Sequence, residues 1–336
     1  MGRELYFLDE LKVELAVRRF RACDVSKPES ALSIFEDIVP GNNPVAKEMP
    51  YERFSDYETL LKALQSDDPS RYRQLHKGTE FFFMSWLAYD MRNYEQAMYY
   101  MNAAVAEDKG NFGENWKSMP ASDFFFLETP PTSVMARTIE LTREALCRQI
   151  NRFSSIPQIL PITMGDVIDK FVKVIIDRKS SLITAFYTFL LEYEERYNEL
   201  LLRSGHGGSM EPHLLHLFKG GLIFESLLKV VYPRTDSKPD SRTLKKLFDD
   251  EDLKKDFPVE VDTYANSLRK IIDDMGDDSS LQSAFNTTSK LRNASGHNLI
   301  WDDIFIDPAN YQRLFEQEMN AIFYIISKKF IGLQGT

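Results

Sequence analysis

The amino-acid sequence predicts an all-α protein built from two helical regions. Apolar residues recur at helical spacing along most of the 336 residues, and no run alternates strictly for long enough to form a sheet. Hydrophobic residues make up 43% of the chain and aromatic residues 12%, so a sizeable core can be buried. The prolines at 157–161 stop a helical stretch and stiffen the chain. We therefore predict a domain boundary there, between residues 1–155 and residues 160–332.

In the first region, apolar periodicity predicts helices that are separated by strong helix breakers. The predicted helices cover residues 5–22, the stretch after Pro28, 55–67 and 133–151. Ser55 is the expected N-cap of the third helix, with Glu58 as its capping-box partner. The glycines and prolines of 109–133 predict a loop.

Small and large apolar residues between those helices follow a spacing typical of two packed helices. The pattern is carried by Phe81, Met84, Ser85, Ala88, Tyr94, Ala97, Met101 and Ala104. It is similar to one tetratricopeptide repeat, in which small residues at fixed places let two antiparallel helices approach closely. The resemblance implies a helical array over residues 1–155 that binds a protein partner. An unrelated helical hairpin is the alternative interpretation.

The helices predicted in the second region are longer than those of the first. Apolar periodicity places them at 164–202, 212–232, 261–274, 280–297 and 309–331. The first is expected to be two helices that meet near Arg178–Ser181. The glycine-rich Ser204–Ser209 segment predicts a flexible loop.

Charge and composition exclude several classes of protein. The net charge is −10, shared equally by the two halves, so the chain cannot hold a nucleic acid by bulk charge and any such contact must be local. Cys23 and Cys147 stand far apart without metal-ligand spacing, which predicts reduced thiols and a cytoplasmic protein. The longest apolar stretch, 214–232, is interrupted by three charged residues, so we expect no membrane span.

The residues that suggest chemistry lie in Arg292-Asn293-Ala294-Ser295-Gly296-His297. On a helix, Asn293 and His297 share one face, and the long stem of Arg292 can bring its guanidinium back towards the histidine ring. A guanidinium binds phosphate as a fork, and an imidazole exchanges a proton near neutral pH. Gly296 lets a backbone or a phosphate approach closely. These are the two functions that metal-free RNA cleavage requires.

This pattern resembles the Arg-x4-6-His signature of HEPN domains. The resemblance covers roughly residues 160–332. It extends to the Gly220–Lys229 stretch, which is similar to an early HEPN helix, and to Tyr311–Phe330, which is similar to the closing helix. The family implies a helical bundle that forms a homodimer, brings two motifs together and often cuts RNA. It implies no metal and no cofactor, and it is used in bacterial defence and toxin systems.

The resemblance also implies a role for each residue of the site. His297 would take the ribose 2′-OH proton or protonate the leaving 5′-oxygen, and Arg292 would stabilise the charge that builds on the phosphorane. Asn293 would orient the phosphate or the histidine. Glu225, on the helix that faces the motif in the family, would pair with Arg292 or tune His297; an ordinary pair with Lys229, four residues on, is the alternative.

Two further alternatives stay open from the sequence. His206, His213 and His216 are clustered and can be interpreted as a transition-metal site or as ordinary histidines. The whole second region can be interpreted as a ribonuclease, or as a non-catalytic dimer scaffold whose helical array recruits a protein. Because Arg292 and His297 are expected to be partly exposed to substrate, replacing either should barely change the melting temperature.

Overall fold

A computed structural model of the chain describes residues 8–36, 38–39, 49–130, 133–202, 209–234, 240–265, 267–275, 278–297 and 307–332. Every regular element within these ranges is helical, which confirms the predicted all-α class. None of the helices described there is long and apolar enough to cross a bilayer. The chain divides into two compact units, Met1–Leu141 and Thr142–Thr336. This division lies before the predicted junction at 157–161, so residues 142–155 belong to the second unit.

The first unit is a succession of helices. They are α1 (Glu10–Ala22), α2 (Ser30–Phe35), α3 (Pro50–Asp67), α4 (Pro69–Gln74), α5 (Gly78–Asp90), α6 (Tyr94–Phe112) and α7 (Pro120–Phe126). Helices α5 and α6 pack as the expected hairpin, in which the Ser85 hydroxyl donates to the Ala97 carbonyl at 2.9 Å. Ala88, Ala97 and Ala104 are fully buried, as the small-residue pattern predicts.

Two predictions in this unit were wrong. Helix α3 begins at Pro50 rather than near Ser55, because a proline in the first helical turn starts a helix instead of preventing one. Residues 109–133 are not one loop: α6 continues to Phe112, a 3₁₀ helix spans Gly113–Ser118, and α7 follows. The breakers there mark the ends of short helices, since Gly113 adopts a positive φ of 55° just after α6.

The second unit is built around a bundle of four long helices. Its elements are α8 (Ala136–Ser154, which begins just before the unit), α9 (Met164–Asp166), a π-helical stretch (Val167–Val172), α10 (Lys173–Leu202), α11 (Glu211–Val231), α12 (Leu244–Phe248), α13 (Glu251–Asp256), α14 (Leu268–Met275), α15 (Leu281–His297), α16 (Pro308–Ile326) and a second π-helical turn (Ser327–Ile331). Helix α11 packs against α10, α15 and α16, and α15 packs against α16. Lys179, at φ −151° and ψ 70°, interrupts α10, which confirms two helices meeting near Arg178–Ser181.

Adjacent glycines let the bundle helices approach closely. A Cβ atom on Gly220 would lie 2.3 Å from Glu318 Oε2 of α16. A Cβ atom on Gly221 would lie 2.6 Å from Arg292 Cβ of α15. Gly221 therefore allows the backbone of α15 to pack tightly on α11, whereas the space at Gly220 is filled by the side chains of Glu318 and Phe189.

One predicted helix is much shorter than expected, and its first part is extended. The prediction covered 261–274, whereas α14 begins only at Leu268. We call residues 257–265 the strap, because this segment runs along α15 and is hydrogen-bonded to it. Gln282 accepts from the Glu260 amide at 3.1 Å, and Asn286 accepts from the Asp262 amide at 2.9 Å. These side-chain bonds replace the backbone bonds that a helix would have made.

Candidate functional site

The candidate site lies where α11, α15 and the strap meet. Arg292 Nε donates to Glu225 Oε2 at 2.5 Å, and Lys229 Nζ donates to Glu225 Oε1 at 2.6 Å. Glu225 is 5% exposed, so its charge is almost withdrawn from water and each carboxylate oxygen meets a cation. The two pairings that the sequence offered as alternatives for Glu225 are therefore both present.

The local sequence of α11 explains this geometry. Gly221, Glu225 and Lys229 recur every fourth residue and therefore share one face of the helix. The missing side chain at Gly221 brings the α15 backbone against α11 at Arg292. The arginine stem then reaches the carboxylate one turn further along α11. Gly221 thus positions the ion pair without contacting either charged group.

Asn293 links Arg292 to the strap. Its Oδ1 accepts from Arg292 Nη1 at 3.3 Å, and its Nδ2 donates to the Thr263 carbonyl at 2.9 Å. Both ends of the amide therefore have protein partners. This geometry gives Asn293 a role in fixing the arginine, whereas the sequence had suggested that it orients the phosphate or the histidine.

His297 is the last residue of α15, and its side chain lies outside the described part of the structure. The structure thus brings together Arg292, Asn293 and Glu225 and places the backbone of His297 about one helical turn beyond Asn293. The predicted contact between the imidazole and the guanidinium stays a prediction.

The guanidinium retains capacity for a ligand. The Arg292 side chain is 28% exposed, whereas that of Glu225 is buried. Nε and Nη1 are engaged by Glu225 and Asn293, while Nη2 has no hydrogen-bond partner among the described residues. Arg292, Lys229 and Glu225 together carry one net positive charge. The site can therefore attract a phosphate locally although the chain as a whole is acidic.

The histidines of α11 are occupied by contacts within the bundle. His216 Nε2 donates to the Phe189 carbonyl at 2.9 Å, and its Nδ1 accepts from the Tyr311 hydroxyl at 2.7 Å. Burial lowers the pKa of His216 to about 3, so this ring stays neutral. His213 Nε2 donates to the Arg196 carbonyl at 3.1 Å. His206 lies outside the described residues, and the described ones contain no group of side chains arranged to hold a metal ion.

A buried carboxyl group lies close to the site. Glu318 of α16 is fully buried beside Gly220. Burial raises the pKa of Glu318 well above its ordinary value, because the charged form is disfavoured away from water.

Comparisons of the chain with protein-family models, with curated proteins and with solved structures found no match.

Sequence reasoning also missed the strap and its attachment to α15. Gln282, Asn286 and Asn293 stand four and seven residues apart and so lie on one side of α15. An amide-bearing stripe on a helix indicates a neighbour with free backbone groups, because amides can pair with both N–H and C=O. That spacing was the available signal.

Proposed function

We propose that the second unit is a metal-independent endoribonuclease of the HEPN kind. The observation that carries the proposal is the Arg292–Glu225 ion pair, which holds a partly exposed guanidinium near the end of the helix on which His297 lies. A fixed guanidinium suits a phosphorane better than a mobile one, because its orientation is set before the charge develops. The bundle of four long helices supports the same proposal.

The proposed reaction is an in-line attack of the ribose 2′-oxygen on the adjacent phosphorus. One imidazole takes the 2′-OH proton as the new P–O bond forms, and a second imidazole protonates the 5′-oxygen as the old P–O bond breaks. The products are a 2′,3′-cyclic phosphate and a 5′-OH, so atoms and charges balance without a metal or cofactor. Arg292 faces the non-bridging oxygens. Glu225 and Asn293 act as positioning residues.

The reaction needs two histidines, whereas one motif supplies one. We therefore propose a homodimer through the second unit, with a motif from each chain at the shared site. Leu215 and Leu222 support this, since they lie seven residues apart on α11 and remain 37% and 38% exposed. Leu202, at the end of α10, is 86% exposed. In this proposal the first unit binds a protein partner, as its tetratricopeptide-like hairpin implies, and the protein serves bacterial defence or a toxin system.

A non-catalytic dimer scaffold is the second candidate. It is favoured by the net charge of −10 and by the engagement of Arg292 with Glu225, which a purely structural ion pair would also show. In this version RNA is not a ligand and the ion pair stabilises the bundle.

Incubation with mixed RNAs in excess chelator separates the two candidates. The ribonuclease proposal expects cleavage by the parent chain and none by His297→Ala. Arg292→Lys should also fail, because an ammonium cannot reproduce the two-pronged contact with phosphate. Lys246→Gln removes an exposed cation of α12 and should cut like the parent. Equal cleavage by all four chains, or by none, supports the scaffold.

A further inference from the structure

We propose that the second unit binds a phosphate monoester in a small basic cavity at the end of α11. The cavity has a volume of about 310 Å³, and ligand cavities in proteins span roughly 300–1,000 Å³. Its walls include Lys170, Val174, Arg178, Val230, Lys329 and Phe330. Val230 lies five residues beyond Glu225, which is about 140° round α11. The cavity and the candidate site therefore lie on different faces of that helix.

The charges that line the cavity are all positive. Lys170, Arg178 and Lys329 contribute two ammonium groups and one guanidinium, and no carboxylate of a described residue lines the cavity. Lys170 pairs with Asp166 at 2.8 Å and Lys329 pairs with Asp256 at 2.6 Å, but neither acid belongs to the wall. Three cations against two acids leave one net positive charge. The cavity can therefore attract an anion, although the chain as a whole is acidic.

The donors that remain free match a terminal phosphate group. An ammonium has three N–H donors, so Lys170 and Lys329 each keep two after forming their ion pairs. Arg178 is exposed, and its guanidinium has no partner among the described residues. A phosphate monoester carries close to two negative charges at neutral pH and presents three unesterified oxygens, one for each cation. A diester has one charge and two such oxygens, so the cavity should favour the monoester.

The apolar part of the wall favours an organic phosphate over inorganic phosphate. Val174 is exposed although it is apolar, and Val230 and Phe330 extend the same wall. The Phe330 ring packs edge-on against Phe171, with 5.1 Å between the ring centroids. A small apolar group esterified to the phosphate would cover these side chains and remove their surface from water.

Irregular backbone around the cavity provides independent support. Lys170 belongs to the π-helical stretch Val167–Val172, and Lys329 belongs to the π-helical turn Ser327–Ile331. These two segments pack against each other. Arg178 comes just before Lys179, where the backbone leaves the helical conformation. Single π-helical turns are frequent at functional sites, and each basic residue of this cavity lies in or next to a break in the regular α-helix.

Isothermal titration calorimetry of the full chain with phenyl phosphate, at low ionic strength, tests the proposal. The probe joins a small aromatic ring to a phosphate monoester, and we expect one saturable site per chain. Arg178→Gln and Lys170→Gln should each weaken binding about tenfold through the loss of a charge-assisted contact. Val174→Asp should abolish binding, because it places a negative charge in the wall. All three side chains are exposed, so circular dichroism should show folded variants.

Lys173→Gln is the matched control for Lys170→Gln. Lys173 lies three residues after Lys170 and is also paired with an aspartate four residues earlier, Asp169, at 2.6 Å. It is not part of the cavity wall, so this variant should bind phenyl phosphate like the parent. A second control uses methyl phenyl phosphate, a diester with one charge, which should bind the parent about tenfold more weakly than the monoester.

Four results would overturn the proposal. Phenyl phosphate could show no saturable binding, or Arg178→Gln and Lys170→Gln could both bind it like the parent. Lys173→Gln could weaken binding as much as Lys170→Gln, which would indicate a general effect of charge. The diester could also bind as tightly as the monoester. None of these readouts depends on RNA cleavage.

Discussion

Arg292 on α15 and Glu225 on α11 form an ion pair at 2.5 Å between residues 67 positions apart in the chain. The pair joins the motif helix to its neighbour, and Gly221 makes the approach possible. A guanidinium held in this way can present its remaining N–H groups to a phosphate in one orientation. The same contact also joins two helices of the bundle, so the proposed function and the stability of the fold would depend on one interaction.

We expect Glu225→Ala to lower the free energy of unfolding by roughly 2–3 kcal/mol. The change leaves the charges of Arg292 and Lys229 without the carboxylate that pairs with both of them. Because Arg292 is partly exposed to water, the loss is smaller than for a fully buried ion pair. Arg292→Ala should also destabilise, which changes the sequence-based expectation that its replacement leaves the melting temperature nearly unaltered.

Urea unfolding measures both effects, with Glu14→Ala as the control. Glu14 pairs with Arg18 on the surface of α1, where both side chains are more than half exposed, so its loss should cost at most about 0.5 kcal/mol. If the Glu225 and Glu14 variants unfold at the same urea concentration as the parent, the ion pair contributes nothing to the fold.

Gly221→Ala should destabilise the second unit by about 1–3 kcal/mol, because the added methyl group would overlap Arg292 Cβ and press on its backbone. Gly110→Ala is the matched control, since nothing lies within 4 Å of its added Cβ in α6. There the reduced backbone entropy should stabilise the chain by up to about 1 kcal/mol. Thermal unfolding should move in opposite directions for the two variants; a shift of the same sign in both would contradict the close packing of α11 and α15.

Helical periodicity predicted the bundle helices well, because each of them buries one apolar face. The expected 212–232 helix is observed as Glu211–Val231, and the interruption expected near Arg178–Ser181 is found at Lys179. The strap could not be predicted in the same way. Its extended backbone is stabilised by side chains of α15 that are distant in sequence, so its own residues carry no local signal for it.

The candidate site was predicted in its residues but only partly in its geometry. The sequence offered Arg292 and Lys229 as competing partners for Glu225, whereas the carboxylate has two oxygens and binds both. The contact of Asn293 with the Thr263 carbonyl depends on the strap and therefore escaped prediction with it. Glu318 gives no signal in sequence, since a glutamate on a helix usually faces water.

Two fragments should differ in stability because of α8. We expect a fragment 133–336 to fold, whereas 160–336 should be less stable or aggregate. The shorter fragment loses the hydrogen bond from Arg152 to Asn320 at 2.8 Å and the contact of the Phe153 ring with Phe323. Circular dichroism melts of the two fragments check this. Equal melting temperatures would show that the second unit does not need α8 and would favour the boundary at 157–161.

Glu80 should make the stability of the first unit fall as the pH rises. This side chain of α5 is 2% exposed, and burial raises its pKa to about 7. The folded state therefore keeps a proton that the unfolded state releases near pH 4.5, so the stabilisation is complete below pH 4.5 and is lost between pH 4.5 and about 7.

The comparison of Glu80→Gln with the parent isolates this effect. Relative to the parent, the variant should gain roughly 2–3 kcal/mol of unfolding free energy between pH 4.5 and pH 8, as measured by urea unfolding. Glu14→Gln, on the exposed surface of α1, should show no such gain. A pH-independent difference between Glu80→Gln and the parent would mean that Glu80 is ionised in the folded chain.

The most direct test of the proposed function is the chemistry of the cut ends in RNA treated with the parent chain in chelator. The account predicts a 2′,3′-cyclic phosphate and a 5′-OH, because the 2′-oxygen is the nucleophile. A single 2′-deoxy substitution at the cleaved position should block cleavage there, and His297→Ala should give no product. Products with a 3′-OH and a 5′-phosphate, or cleavage that survives the 2′-deoxy substitution, would contradict the account.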